Sequence, residues 1–178
     1  MRHTVEQVVN DIRGAHVNTV QAVLFAGYAM KYIGSGMFRN VYKIIGANLV
    51  VKIPIGAKGR RHALGEWEAY NRVLKSKLKY LPLKAHMPTI HGFNRRTGVM
   101  VMELYRPSGK RDRKAIIKIG DVARVCCGKY CDLHVDNVFK DQFGEYRIID
   151  LGYLSHKIKP KPRRKRTELV YWDDCTGS

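Results

Sequence analysis

A chain of 178 residues suits one packed domain, since domains cluster near ~100 to 150 residues. Its 45% apolar and 27% charged residues give a globular composition, which excludes a wholly disordered, collagen-like or membrane-embedded chain. Lys and Arg number 33 against 15 Asp and Glu, and the resulting +18 suits a partner such as nucleic acid, acidic protein or anionic lipid.

Residues 1–16 contain Glu6 and Asp11 and no apolar run behind a basic start, so no signal peptide is expected. The longest apolar stretch, Ala22–Met30, is well short of the ~20 residues of a spanning helix. A soluble, cytoplasmic protein without membrane contact is the expectation. From Thr4 to about Met30, Val5, Val8, Val9 and Ile12, then Val20, Val23, Leu24 and Tyr28, recur at helical spacing with a break at Gly14 and Asn18. From Lys31 the period changes. Tyr32-Ile33, Val41–Ile45 and Leu49–Ile53, separated by Gly34-Ser35-Gly36 and Gly46-Ala47-Asn48, predict three short antiparallel strands.

Gly56–Arg61 has the composition of a basic, glycine-containing loop, and Ala63–Leu78 is predicted helical with Trp67, Tyr70, Val73 and Leu74 on one face. Strands are expected at Thr89–Phe93 and Val99–Leu104 around a hairpin turn at Asn94–Gly98. A helix over Ala115–Tyr130 follows, then two short strands, Val138-Phe139 and Tyr146–Ile149, flanking a turn at Asp141–Gly144. Three of the four cysteines crowd at Cys126, Cys127 and Cys131, with Cys175 near the end, which is no disulfide framework and points to a reducing compartment. Beyond Ser155 the chain is basic and proline-interrupted: Lys157–Arg166 holds seven cations and no acid, and removing them from +18 still leaves +11 on the rest.

Two features of the first half bear on chemistry. Gly34-Ser35-Gly36 joins two strands, and glycine there lets the backbone approach phosphate oxygens, although any hairpin tolerates such a turn. Lys52 lies inside the apolar strand Val50-Val51-Lys52-Ile53, where an inward ammonium needs a partner to stay charged. The following helix offers Glu66 or Glu68. Glu66 is favoured, because Ala69, Tyr70, Val73 and Leu74 then form a buried stripe.

With a glycine turn, a Val-x-Lys strand and a helix glutamate fourteen positions on, the sequence resembles the protein-kinase-like phosphotransferase superfamily. Asp132-Leu133-His134-Val135-Asp136-Asn137 matches the D-x-x-x-x-N catalytic loop, and Asp150-Leu151-Gly152 follows a strand as the D-F-G element does. The resemblance implies an α+β, protein-kinase-like fold: an antiparallel-sheet N-lobe with helix C and a strongly reduced C-lobe. ATP and Mg2+ are the implied cofactors. Gly34, Ser35, Gly36 and Val41 would cover the nucleotide, Lys52 held by Glu66 would grip the α/β-phosphates, and Glu103 and Leu104 fall where the hinge meets adenine. Asp132 would orient or deprotonate the acceptor hydroxyl, with Lys52 and Asn137 completing the catalytic set. Asn137 and Asp150 would bind the metal, and His134 would face the transferred phosphate.

There are departures. Arg39 stands where the third loop glycine is expected, Tyr130 where the catalytic-loop histidine is, and Leu151 in place of phenylalanine. Asp-Leu-His is the form common in aminoglycoside and choline phosphotransferases, which draws the acceptor toward small molecules. Only 26 residues follow Gly152, and that compactness resembles kinase-like proteins of bacteriophages, which act on host proteins. The expected organisation is a helical N-terminal extension at 1–30, a minimal kinase-like domain at 31–156 and a basic tail at 157–178.

The expected activity is that of a protein Ser/Thr kinase with a host or partner protein as substrate, acting in the cytoplasm, the host's if the source is viral. Alternatives are a catalytically silent kinase-like module that binds nucleic acid or protein through its basic surface, a small-molecule kinase, and a nucleotidyl transferase. Cys127, Cys131 and His134 have a zinc-like spacing without a second ligand pair, so buried free cysteine is the simpler reading. Lys110–Lys118 reads as a solvated helix face. Lys157–Arg166 is a flexible cation suited to a polyanion or nucleic acid.

Overall fold

The computed structural model describes residues 4–14, 27–76, 80–109, 112–127 and 137–151. Five strands, β1 (Met30–Ser35), β2 (Arg39–Ile44), β3 (Leu49–Pro54), β4 (Ile90–Phe93) and β5 (Met100–Glu103), form one antiparallel sheet in the order β1-β2-β3-β5-β4. The fold is α+β, with the antiparallel-sheet lobe and its helix that the resemblance implies. Strand β3 is central. Its residues Leu49–Ile53 are all buried, Leu49, Val51 and Ile53 on one face and Val50 and Lys52 on the other, as the two-residue period of a strand requires.

The first of these faces is covered by helix α1 (Val5–Gly14), whose first turn is capped by the Thr4 hydroxyl accepting the Gln7 N–H at 3.2 Å. Val8, Val9 and Ile12 pack there with Ile44, Leu49, Val51, Ile53 and Val101. Contact is close enough that a Cβ on Gly92 of β4 would sit 2.8 Å from Val9 Cγ1, so only glycine fits. Asn94 ties the ends together, donating to the Ile12 carbonyl at 2.8 Å while its Oδ1 accepts the N–H groups of Arg96 and Thr97. The helical reading does not extend to Met30: Gly27 is a turn residue with φ 77° and Met30 opens β1.

The opposite face receives α2 (Gly56–Lys75). This helix starts seven residues before the predicted Ala63, so Gly56–Arg61 is helix and no loop. No side chain caps its N-terminus and its first turn has no acidic residue. Tertiary contact compensates: Gly59 lies so close to the Phe38 carbonyl that any Cβ would collide with it, and Phe38 stacks on His62 with ring centroids 4.6 Å apart. Ala63, Glu66, Ala69, Tyr70 and Val73 are buried along the helix, whereas Leu74, assigned to the same stripe from sequence, is exposed at its edge.

Below the sheet lies a smaller layer made of the helical turn α3 (Leu81–Lys84), helix α4 (Arg113–Cys127) and the three-stranded antiparallel sheet β6 (Arg106–Pro107), β7 (Val138–Lys140) and β8 (Tyr146–Ile148). Ile116, Ile119, Ala123 and Cys126 line the inner face of α4 and pack with Tyr70 and Val73 of α2, Leu83, Val138, Ile148 and Leu151. Arg113, Lys114 and Lys118 are exposed on the outer face. Asp112 fastens the layer, accepting from Gly109 N, Lys140 Nζ and Tyr146 Oη at 2.8 Å each. The Lys140 hydrogen bond, then those from Gly109 and Tyr146, hold its carboxyl down at about 2. Among the described residues no helix is long and apolar enough to cross a membrane.

Candidate functional site

Four charged side chains from four separate elements meet where the two layers join. Lys52 comes from the inner face of β3, opposite Val41 of β2 and Met100 of β5. Glu66 comes from the third turn of α2, Asp150 from the segment after β8, and Arg39 from the first residue of β2. Lys52 Nζ lies 3.5 Å from Glu66 Oε1 and also donates to the Ile149 carbonyl. Glu66 is fully buried, and besides Lys52 it accepts from Arg39 Nη1 and, at 3.4 Å, from the Leu151 N–H. One carboxylate thereby joins two strands and the segment that carries Asp150. Glu68, two positions on, is exposed and pairs with Arg72 at 3.4 Å.

Arg39 was read from sequence as a missing glycine. Its guanidinium is buried between two carboxylates, with Nη1 on Glu66 and Nη2 3.1 Å from Asp150 Oδ1. Burial alone would weaken its hold on the proton, but Glu66 and Asp150 outweigh that and raise its pKa beyond the usual guanidinium value. For Lys52 the balance goes the other way. Burial is the largest effect and the Arg39 charge adds to it, so its pKa is lowered despite Glu66 and Asp150. Two cations and two carboxylates leave the group electrically balanced.

The glycine turn adjoins this group through Arg39. Gly34 lies near the end of β1 at an irregularity in its pairing with β2, and Gly36 N–H closes the hairpin on the Arg39 carbonyl at 2.9 Å. A Cβ at Gly34 or Gly36 would meet nothing within 4 Å, so their backbone faces open space; Ser35 is exposed and Met37 stands at the tip, 83% exposed. An apolar layer lies between the two sheets: Val50, Met102 and Tyr105 are buried, with Val41, Leu104, Phe139 and Ile149 half-buried against them. Leu104 is held by its N–H on the Asn48 carbonyl at 3.0 Å, and the Glu103 carboxylate faces Asn48 and Tyr105. A cavity of about 300 Å³ between Lys43, Asn48, Arg106 and Lys140 touches this region only at Leu104 and includes none of the four charged groups.

Asn137 is half-buried, and its carbonyl accepts the Ile149 N–H at 2.9 Å, which sets it beside the segment leading to Asp150. Asp132, His134, Cys131 and Gly152 lie outside the described residues, as does Lys157–Arg166. The structure therefore brings Lys52, Glu66 and Asp150 together, adds Arg39, and sets Val41 and Leu104 in the adjoining apolar layer. Sequence reading missed Arg39, Phe139 and Ile149. Strand alternation carries a signal for Arg39, since it lies two residues before Val41 and so on the face that Lys52 shares.

No family model matches the chain, and no curated protein matches it. Among solved structures it is similar to the streptomycin–ATP–APH(2")-IIa ternary complex, at 13% identity and TM-score 0.42 over 78% of this chain and 46% of that one. It is also similar to WbdD in complex with the kinase inhibitor LY294002, at 18% identity and TM-score 0.38 over 68% of this chain and 32% of that one. The chain spans less than half the length of either.

Proposed function

We propose that the chain is an ATP- and Mg2+-dependent phosphotransferase of the protein-kinase-like kind, with Ser or Thr of a protein as acceptor. The observation that carries this reading is the buried Lys52–Glu66 pair, 3.5 Å apart, in the same charged group as Asp150, with a glycine turn open to solvent next to Arg39 of that group. The residues fit the two groups the reading needs. Asp150 has a 33% exposed carboxylate that a cation can reach from solvent, and the half-buried side chains of Val41, Leu104, Phe139 and Ile149 offer apolar surface for a purine ring.

In this reading Asn137 and Asp150 hold magnesium, which supplies neutralising charge to the phosphates when bound. Glu66 keeps the Lys52 ammonium at a fixed place, so that it meets the α/β-phosphates without reorganising. The Gly34–Gly36 turn, with no side chain at either glycine, lets the backbone lie close over the phosphates. Asp132 takes the proton of the acceptor hydroxyl as that oxygen bonds to the γ-phosphorus and the bond from phosphorus to the β–γ bridging oxygen breaks. A second reading, a small-molecule acceptor, is favoured by Asp132-Leu133-His134.

The test is incubation of the full chain with γ-labelled ATP, Mg2+ and a cell lysate, beside aminoglycoside and choline acceptors. Labelled protein bands are the expected result, whereas label confined to the small acceptors selects the second reading. Label transferred from α-labelled ATP would instead mean nucleotidyl transfer. Absence of transfer together with a Mg-ATP thermal shift would leave a nucleotide-binding module without catalysis.

A further inference from the structure

We propose that Arg39 is a built-in counter-ion of Asp150 that competes with the divalent cation for its carboxylate, and so sets the metal affinity of the site. This rests on the phosphotransferase reading above.

The two contacts of Arg39 are unequal. Its tie to Glu66 is between side chains 10% and 1% exposed, while the Asp150 side chain on its other tie is 33% exposed. Water and ions reach Asp150 and do not reach Glu66, so the Asp150 end is the one that a solvent cation can displace. The root of the side chain is fixed by the Gly36 N–H on the Arg39 carbonyl and by the register of Arg39 opposite Pro54, which aims the guanidinium at the carboxylates. Lys52 also feels the Asp150 charge, but its hydrogen bonds go to Glu66 and the Ile149 carbonyl, whereas Arg39 bonds the Asp150 carboxylate directly. A glycine at position 39 would leave Asp150 facing incoming cations without this competitor. With arginine there, a metal ion has to displace one charge-assisted hydrogen bond from Asp150 before that oxygen is available. Arg39 acts through Asp150 and Glu66 and is in this sense a positioning residue.

The experiment titrates Mn2+ into the full chain in the presence of a non-hydrolysable ATP analogue and reads free Mn2+ by electron paramagnetic resonance. Wild type, Arg39→Ala, Arg39→Lys and Asp150→Asn are compared, with circular dichroism reporting folding. Arg39→Ala is expected to bind Mn2+ about tenfold more tightly than wild type, the scale of one charge-assisted hydrogen bond at a partly exposed carboxylate. Structural damage would weaken binding, so tightening separates the two roles. Arg39→Lys keeps a cation for buried Glu66 but cannot span both carboxylates, and is expected to tighten binding by about threefold or more. If Arg39→Ala does not fold, Arg39→Lys decides alone. Asp150→Asn is expected to lose Mn2+ binding.

Wild-type or weaker Mn2+ affinity in both Arg39 variants would overturn the competition and leave the phosphotransferase reading intact, provided that wild type binds Mn2+ and nucleotide. Absence of Mn2+ binding in all four proteins would overturn the phosphotransferase reading and this inference together. Binding in the Arg39 variants but not in wild type is the strongest supporting result.

Discussion

Replacing Glu66 by Gln keeps the shape of the side chain and removes the charge that two buried cations share. Glu66 Oε1 lies 3.5 Å from Lys52 Nζ and 3.4 Å from Leu151 N, and Oε2 accepts from Arg39. Loss of one partner from a buried ion pair costs ~3 to 5 kcal/mol, because the remaining charge stays desolvated. Arg39 retains Asp150, so the lower end applies, ~3 kcal/mol. At ~2 to 4 °C per kcal/mol for a chain of this size, the midpoint of thermal unfolding should fall by roughly 6 to 12 °C. Glu68→Gln is the control on the same helix. Its carboxylate is 49% exposed and meets only the partly exposed Arg72 at 3.4 Å, an i,i+4 pair worth ~0.5 kcal/mol or less, and about 1 to 2 °C.

The Glu66→Gln deficit should also depend on pH, with a definite sign. Burial lowers the Lys52 pKa in the folded state, and the variant removes the largest opposing influence. The folded protein then releases the Lys52 proton at a pH where the unfolded chain still holds it, so stability rises with pH across that window. Compared with wild type at each pH, the deficit should be smaller at about pH 9.5 than at pH 7. Differential scanning calorimetry of the three proteins measures both effects. If Glu66→Gln and Glu68→Gln melt within 2 °C of each other, Glu66 is not the shared buried anion. A deficit that stays constant with pH would mean that Lys52 does not carry the proton exchanged.

Other outcomes follow from the packing and charge of the rest of the molecule. Asp112, held at about 2, contributes stability that is complete above the unfolded carboxyl pKa and lost as pH falls from about 4 toward 2. Asp112→Asn should therefore flatten the acid limb of a urea-midpoint profile, and a limb superimposable on wild type would mean that the Lys140–Asp112–Tyr146 cluster does not form. Gly92→Ala forces a methyl against Val9, with an expected cost of ~1 to 3 kcal/mol, and Val9→Ala in the same chain should relieve part of it; strict additivity of the two would show that α1 is not seated on β4. Truncation after His156 removes the seven cations of Lys157–Arg166 and should flatten the salt dependence of heparin binding while leaving the thermal midpoint within 2 °C of the full chain. Unchanged heparin affinity would show that the tail is not the polyanion site.

Local pattern made the sheet and the lysine–glutamate pair legible. A strand alternates and a helix repeats over a few residues, so Val50-Val51-Lys52-Ile53 and the spacing of Glu66, Ala69, Tyr70 and Val73 sufficed to aim both side chains at one place. The start of α2 was not legible for the same reason. Gly56–Arg61 lacks a cap and carries glycines and cations, which locally favour a loop, and its helical form is supported by contacts with Phe38 about twenty residues earlier. Arg39 is the harder case, because its partners lie 27 and 111 positions away and no local period connects them. A motif comparison registers at that position only a glycine that is absent. Strand geometry registers something else: Arg39, Val41 and Lys52 share one face of the sheet, so a buried cation beside Lys52 must find carboxylates of its own. Lys52 and Arg39 together need two anions, and the chain supplies Glu66 and Asp150. A departure from a motif at a buried position is in this way a statement about charge balance, and it names in advance the partner to look for.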